Sequence, residues 1–363
     1  LSSEDFFNRE ALGINSLKLS AGYDVSGNDD VAITASRTSL SATRFMNNSV
    51  GLVLNNIGNT GIQWETTHRL RVGLDLTEYN NILAFSLNFF KSYTNNLLTL
   101  KSLPEITGEG YYWSNDGSLE NIGLDFGVRF KLLNRKNWKW ELGANATAYK
   151  NKITALPDGD YTTTIYGANV LTSVGRAAGV FYGYETDGVY ATQQEAEEAG
   201  LTLVSTTGEV TPFAAGDMKF VDHVQDGIIN EKDMVVIGNP NPDVYGNLYS
   251  NLSYKRLSLN MNFNYSFGND IYNYQRSQLE SGSQFFNQTT ALNRRWIAEG
   301  HHTDIPKATF GDPMGNSRFS DRWIEDGSYI RLKDITLSYK VPVQASWLQG
   351  LTVWCAGTNL LTL

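Results

Sequence analysis

A single cysteine, Cys355, stands in 363 residues. That excludes a disulfide framework and any C-x-x-C metal or redox pair. No apolar run approaches the roughly 18 residues that a membrane-spanning helix needs, which excludes a helical membrane protein. A spanning barrel escapes that test, because half of every barrel strand is polar. Basic residues are in deficit: 29 Lys and Arg face 38 Asp and Glu, for a net charge of -9. Nucleic acid is therefore a poor partner. Catalytic signatures are also missing: there is no Walker A, no G-x-S-x-G, no H-E-x-x-H and no zinc spacing. Among 38 acidic residues, carboxylate pairs arise by chance. None stands out as a glycosidase acid and nucleophile, so the chain reads as no enzyme. The first residues, LSSEDFFNRE, are polar and acidic and carry no secretory leader.

What is present is alternation. From Leu257 to Phe267 the residues Leu257, Leu259, Met261, Phe263, Tyr265 and Phe267 share one parity. Ser258, Asn260, Asn262, Asn264 and Ser266 take the other. In a strand, one face is then oily and the other carries amides and hydroxyls. Leu248, Leu252 and Tyr254 alternate before it, and only Lys255 and Arg256 intervene, which predicts a tight hairpin. Asn is a poor strand former, yet three share the polar face. The run matches the roughly nine to eleven residues of a tilted spanning strand.

The same design recurs at 68–89 and 122–149. Short polar turns sit at one end of each hairpin and long loops join one hairpin to the next, as in outer-membrane barrels. The 19 Tyr, 17 Phe and 8 Trp could furnish interface girdles. Two further strands are expected at 329–339 and 351–357, and about ten to twelve in all. Residues 153–245 and 269–322 break the pattern and read as long loop insertions. The first holds TQQEAEEAGL (192–201), expected as a short helix with a solvated charged face. A soluble β-rich glycan-binding protein, its oily face turned into a core, predicts the same period and stays as the alternative.

Two candidate sites lie in loops. Tyr111, Tyr112 and Trp113, beside Asn115 and Asp116, could stack on sugar rings, or could be packing and girdle residues. Asp222, Asp226 and Asp233 stand at offsets 1, 5 and 12, with Gly227 at 6 and the Ile228 carbonyl at 7. That is the spacing of a calcium loop. Val224 occupies offset 3, where a side-chain oxygen belongs, and offset 12 is Asp rather than Glu. The reading is a weak structural Ca²⁺ site; its rival is a loop that uses Asp and Gly only for turns.

The ordered set of segments resembles the SusC/RagA type of TonB-dependent outer-membrane nutrient importer. It is carried by QWETTHRLRVGLDL (63–76), NDGSLENIGLDFGVRF (115–130), WKWELGANATAYKNKI (138–153), GVFYGYETDGVY (179–190), GDMKFVDHVQDGIINEKDMVVIGNPNPDVYGNLYSNLSYK (216–255) and WIEDGSYIRLKDITLSYKVP (323–342). The resemblance implies an all-β, antiparallel transmembrane β-barrel portion, residues 1–363 forming about half of a 22-stranded barrel with long extracellular loops. The plug domain is expected to be absent. It implies uptake of oligosaccharides or peptides across the bacterial outer membrane. The implied partners are a SusD-like surface lipoprotein, TonB through the absent plug, and the lipid bilayer.

Overall fold

The computed structural model describes residues 13–45, 49–78, 81–115, 117–157, 159–205, 208–343 and 347–363. Nine strands form one antiparallel sheet in chain order: β1 (Ile14–Asn28), β2 (Glu65–Glu78), β3 (Leu83–Asn95), β4 (Ser118–Asn134), β5 (Trp138–Ala155), β6 (Val244–Tyr254), β7 (Leu257–Phe267), β8 (Tyr329–Val341) and β9 (Leu351–Thr362). Each strand pairs with its sequence neighbours, so the sheet is an up-and-down meander whose edges are β1 and β9. Nine is fewer than the ten to twelve expected. The apolar pieces between β1 and β2 instead form a separate hairpin, Ser39–Phe45 with Ser49–Asn56. No helix among the described residues is long and apolar enough to cross a membrane.

Register makes the alternation continuous across all nine strands. One apolar row runs Leu19, Leu74, Leu87, Phe126 and Ala146. Farther along the sheet, Leu248 faces Phe263, and Phe263 faces Leu332, which faces Leu361. The other parity gives a polar row: Lys18, Asp75, Ser86, Gly127 and Asn145, continued by Asn247, Asn264, Arg331 and Thr362. A one-residue slip would exchange the two faces entirely. The Lys255-Arg256 turn is as tight as expected: Tyr254 faces Leu257, and Lys255 takes a φ of 52°.

The apolar face is open. Leu19, Leu70, Leu124, Leu248 and Leu337 are all exposed, and no second sheet among the described residues covers them. Cys355 lies on this face opposite Leu337 and is exposed rather than packed. Aromatics mark its two ends. The Trp138 and Tyr254 rings lie 4.3 Å apart, tilted by 35°, beside the short turns, with Leu257 and Tyr339 continuing the row. Tyr23, Tyr93, Tyr265 and Phe267 lie toward the long loops. Ten residue steps from Leu257 to Phe267, at roughly 3.4 Å each and tilted about 40°, span about 26 Å. That is the height of an outer-membrane apolar band, about 25 Å. On this face Lys91 and Glu120 pair at 2.8 Å at the loop-side end, where headgroups and water begin.

Two polar groups on the apolar face find partners within the sheet. The Trp140 indole N–H donates to Ser250 Oγ at 3.1 Å. The Tyr265 hydroxyl donates to the Asn145 carbonyl at 2.9 Å. It reaches that oxygen by lying across Gly246, where a Cβ would come within 2.8 Å of the phenol. In hydrocarbon each unpaired group would cost several kcal/mol, so these bonds are a condition of the face's composition.

The four short connections, 79–82, 135–137, 255–256 and 342–350, all lie at one end of the sheet. The long ones, 29–64, 96–117, 156–243 and 268–328, lie at the other. In the intact barrel, Met261→Lys puts a cation into lipid and is expected to cost about 2–4 kcal/mol near the bilayer midplane. Asn262→Lys puts it into water beside Asp334, its register partner, and is expected to be tolerated. Equilibrium folding of both variants into lipid measures the difference, and equal losses would contradict the assignment of faces.

Candidate functional site

The polar face supplies the first candidate surface. Asparagine is disfavoured in strands, but here its amides bond across them. Asn145 Nδ2 donates to Asn247 Oδ1 at 2.8 Å, and Asn247 Nδ2 donates to Asn262 Oδ1 at 3.2 Å. Each amide is donor and acceptor at once, so a ladder can extend across several strands. Thr147 Oγ1 donates to Asp125 Oδ1 at 2.8 Å beside it. Arg69, Arg71 and Arg129 share this parity with Asp75 and Asp125, so the surface is polar without one dominant sign. Gly143 leaves room for the Tyr249 ring, 2.2 Å from where a Cβ would sit, so the tyrosine lies flat against the sheet.

The second candidate surface is a unit built by the two longest loops. Its core gathers Val189, Tyr190, Phe213, Met218, Phe220 and Ile229 from the first loop and Met314 from the second. Asp217, 1% exposed, ties the loops together. It pairs with Lys307 at 3.1 Å and accepts from Asn316 Nδ2 at 2.9 Å. Asn316 Oδ1 in turn accepts the Met218 N–H at 2.8 Å. Trp296 donates its indole N–H to the Ala191 carbonyl, and Thr186 bonds Asp321. The buried apolar residues of the chain lie mainly here, whereas the sheet's apolar face is open. The expected helix forms as α1 (Gln193–Ala199), capped by the Thr192 hydroxyl and by Gly200 in the left-handed region.

The aromatic triplet lies on a short strand, Tyr111–Ser114, paired with Thr99–Ser102. Tyr112 and Trp113 are neighbours in that strand and project to opposite sides, both half-buried. They do not form one stacking platform. Asn115 is engaged with the backbone: it accepts from the Gln63 N–H and donates to the Gln63 and Asn96 carbonyls. Asp116 falls outside the described residues, as does the side chain of Tyr111.

In the acidic loop the carboxylates are occupied by backbone N–H groups. Asp222 accepts from Gln225 and Gly227, and Asp226 from Ile228. Asp233, fully buried, accepts from Val224 at 3.2 Å and from Asn230 at 2.9 Å, the latter as half of a capping box. The Ile228 carbonyl accepts from the Asn230 amide at 3.2 Å. Among the described residues no three His, Cys, Asp or Glu side chains gather as a metal site. Turn-forming and calcium-binding loops share the Asp–Gly spacing, because both need carboxylates folded back over a sharp turn.

Neither the amide ladder nor the Asp217 cluster was among the expected site residues. The asparagines were visible as a composition anomaly, but the partner of each depends on register. Asp217 and Lys307 lie 90 positions apart in the sequence, with no pattern to link them.

Comparison with known proteins places these features in context. No family profile matches the chain. The TonB-dependent receptor P26 of Formosa agariphila is 32% identical over 375 residues, covering 99% of this chain and 37% of that protein. The TonB-dependent receptor SusC of Bacteroides thetaiotaomicron is 25% identical over 288 residues, covering 77% of this chain and 26% of its own length. Among solved structures, the RagAB peptide transporter superposes with a TM-score of 0.72 at 23% identity, over 96% of this chain and 37% of that one. That likeness shows the fold. The chain spans little more than a third of the length of these TonB-dependent receptors. The chain therefore belongs to the TonB-dependent receptors, and the sheet is a portion of a transmembrane β-barrel.

The Asp222 carboxyl is held below its ordinary 3.8. Burial pushes it up, but the N–H groups of Gly227 and Gln225 outweigh that and favour the anion. A depressed carboxylate contributes stability above its unfolded value that is lost as pH falls through the folded one. The protection of the Gly227 amide relative to free-amide exchange is expected to be high at neutral pH and to fall on acidification below the ordinary carboxylate value of 3.8. Asp222→Asn should remove that acid dependence, and added calcium should change neither profile.

Proposed function

We propose that this chain forms the lumen wall and outer loops of a TonB-dependent importer that takes up oligosaccharides or peptides. It lies in the bacterial outer membrane, and it is no enzyme, as its relatives are receptors and transporters. The observation that carries the reading is the two-faced register of nine strands, apolar outward and amide-rich inward, kept on both sides of the register shift in β8. An importer needs a wet, polar wall for hydrated cargo and a dry exterior for lipid, and that register supplies both. The soluble glycan-binding alternative requires the oily face to be buried, and here that face is open.

Three further elements belong to the proposal. A SusD-like surface lipoprotein covers the outer loops, which suits their consolidation into one packed unit. Energy reaches the barrel from TonB through a plug. The mixed-sign amide wall suits neutral, hydrogen-bonding cargo better than a strongly charged one. The 222–233 loop and Tyr111, Tyr112 and Trp113 serve to shape the outer loops.

Tagged full-length protein is expected to co-purify a surface lipoprotein from outer-membrane extracts. Deletion of the whole protein is expected to abolish growth on one class of oligosaccharide or peptide and leave growth on the free monomer intact. Undiminished growth across both classes would overturn the import reading.

A further inference from the structure

A cleft of about 320 Å³ opens within the outer-loop unit. It lies between α2 (Tyr274–Leu279), the segment that follows it, and residues 317–323. Trp323 and Phe319 back its wall and are themselves buried, whereas Phe286 is the exposed ring, and Tyr272 meets Phe319 edge-on at 5.2 Å. The Trp323 indole N–H is bonded to the Ser317 and Arg318 carbonyls, so it offers the cleft no donor. The other side is hydroxyl and amide: Ser277, Ser281 and Ser283 with Gln278 and Gln284. Ser281 Oγ accepts from Ser283 Oγ at 3.0 Å, which leaves its own proton to donate. Both glutamines are exposed. Phe286, 75% exposed, stands among the lining residues.

The charge of the cleft narrows its ligand. Among the described residues no Asp, Glu or Lys lines it. The one cation, Arg318, is already committed: its Nε and Nη2 donate to the Gly315 and Met314 carbonyls. Its guanidinium carbon also lies 4.9 Å and 4.6 Å from the Tyr184 and Phe220 ring centroids. An anionic ligand therefore finds no free countercharge. A peptide calls for an open strand edge, or for charged groups to hold its ends, and the cleft offers a short helix and loops. Aromatic surface beside several neutral donor–acceptor groups suits a ring with one apolar face and hydroxyls around its rim.

We infer that this cleft is a binding subsite for a neutral sugar unit, in which Phe286 stacks on the ring and Gln278, Gln284 and Ser281 bond its hydroxyls. Its volume is at the lower end of the roughly 300–1,000 Å³ range of ligand pockets, so it takes one or two sugar rings. Trp323, in the wall, reports occupancy through its fluorescence. The subsite deepens the import reading and rests on it for its position outside the membrane.

Full-length protein in detergent is titrated with neutral hexose and pentose oligosaccharides of two to six units, with uronic-acid oligosaccharides, and with a mixed short-peptide pool, by calorimetry and tryptophan fluorescence. At least one neutral series is expected to bind and to shift the fluorescence. Phe286→Ala and Gln284→Ala, both at exposed positions, should each weaken it at least fivefold, and Gln288→Ala should not. Absence of binding by every neutral series overturns the subsite, as does unchanged affinity in both cleft variants or binding confined to peptides or uronic acids. Cellular uptake of peptides without sugar binding removes the subsite and keeps the import reading. Sugar binding lost in the cleft variants, in a protein whose deletion impairs no uptake, does the reverse.

Discussion

The structure depends on one constraint: a sheet with hydrocarbon on one side and water on the other must satisfy its polar groups differently on each face. Outward, polar atoms are few and are bonded within the sheet, as Trp140 is to Ser250 and Tyr265 to the Asn145 carbonyl. Inward, polar atoms are many and bond sideways from strand to strand through Asn145, Asn247 and Asn262. The amide ladder offsets the poor strand propensity of asparagine and keeps a hydrated wall free of a strong field. Two glycines serve this division from opposite sides. Gly246 lets Tyr265 lie flat toward lipid, and Gly143 lets Tyr249 lie flat toward the lumen.

With the sheet's apolar side turned to lipid, the conventional core has to be elsewhere. It lies in the outer loops, where two insertions that are long for connections in a compact fold pack into one unit. The Asp217–Lys307 pair at its centre is deeply buried on the carboxylate side and further bonded by Asn316. Breaking such a pair from one side leaves an uncompensated charge, so it fixes how the loops meet. The packed outer unit holds the walls of the Trp323 cleft in place.

The meander was legible because period two writes itself into sequence. Leu257 to Phe267 announces a strand, its length and its two faces, and the Lys255-Arg256 turn announces its partner. Strand number was less legible. Ser39–Phe45 and Ser49–Asn56 have strand composition but pair only with each other, and nothing local tells a wall strand from a loop hairpin. The register shift between Asn262 and Phe263 against β8 was equally silent. The aromatic triplet and the acidic loop were found by composition and spacing, which do not say what a side chain touches. Asn115 bonding the 63 and 96 backbone, and Asp222 and Asp233 bonding their own loop, are facts of three-dimensional closure. The cleft drew no attention in the sequence because serine, glutamine and phenylalanine in a polar stretch carry no motif.

The central claim is that the parity of Leu257 to Phe267 divides lipid from water. The direct measurement places single nitroxide labels at Leu259, Met261 and Phe263 and at Asn260, Asn262 and Asn264, in full-length protein reconstituted into bilayers with Cys355 replaced by Ser. Oxygen, which concentrates in lipid, and a water-soluble nickel chelate are the paired quenchers. The account predicts a strict alternation, with the odd-numbered sites relaxed by oxygen and the even-numbered sites by the chelate. Odd-numbered sites shielded from both, as in a protein core, or both sets equally open to the chelate, would contradict it.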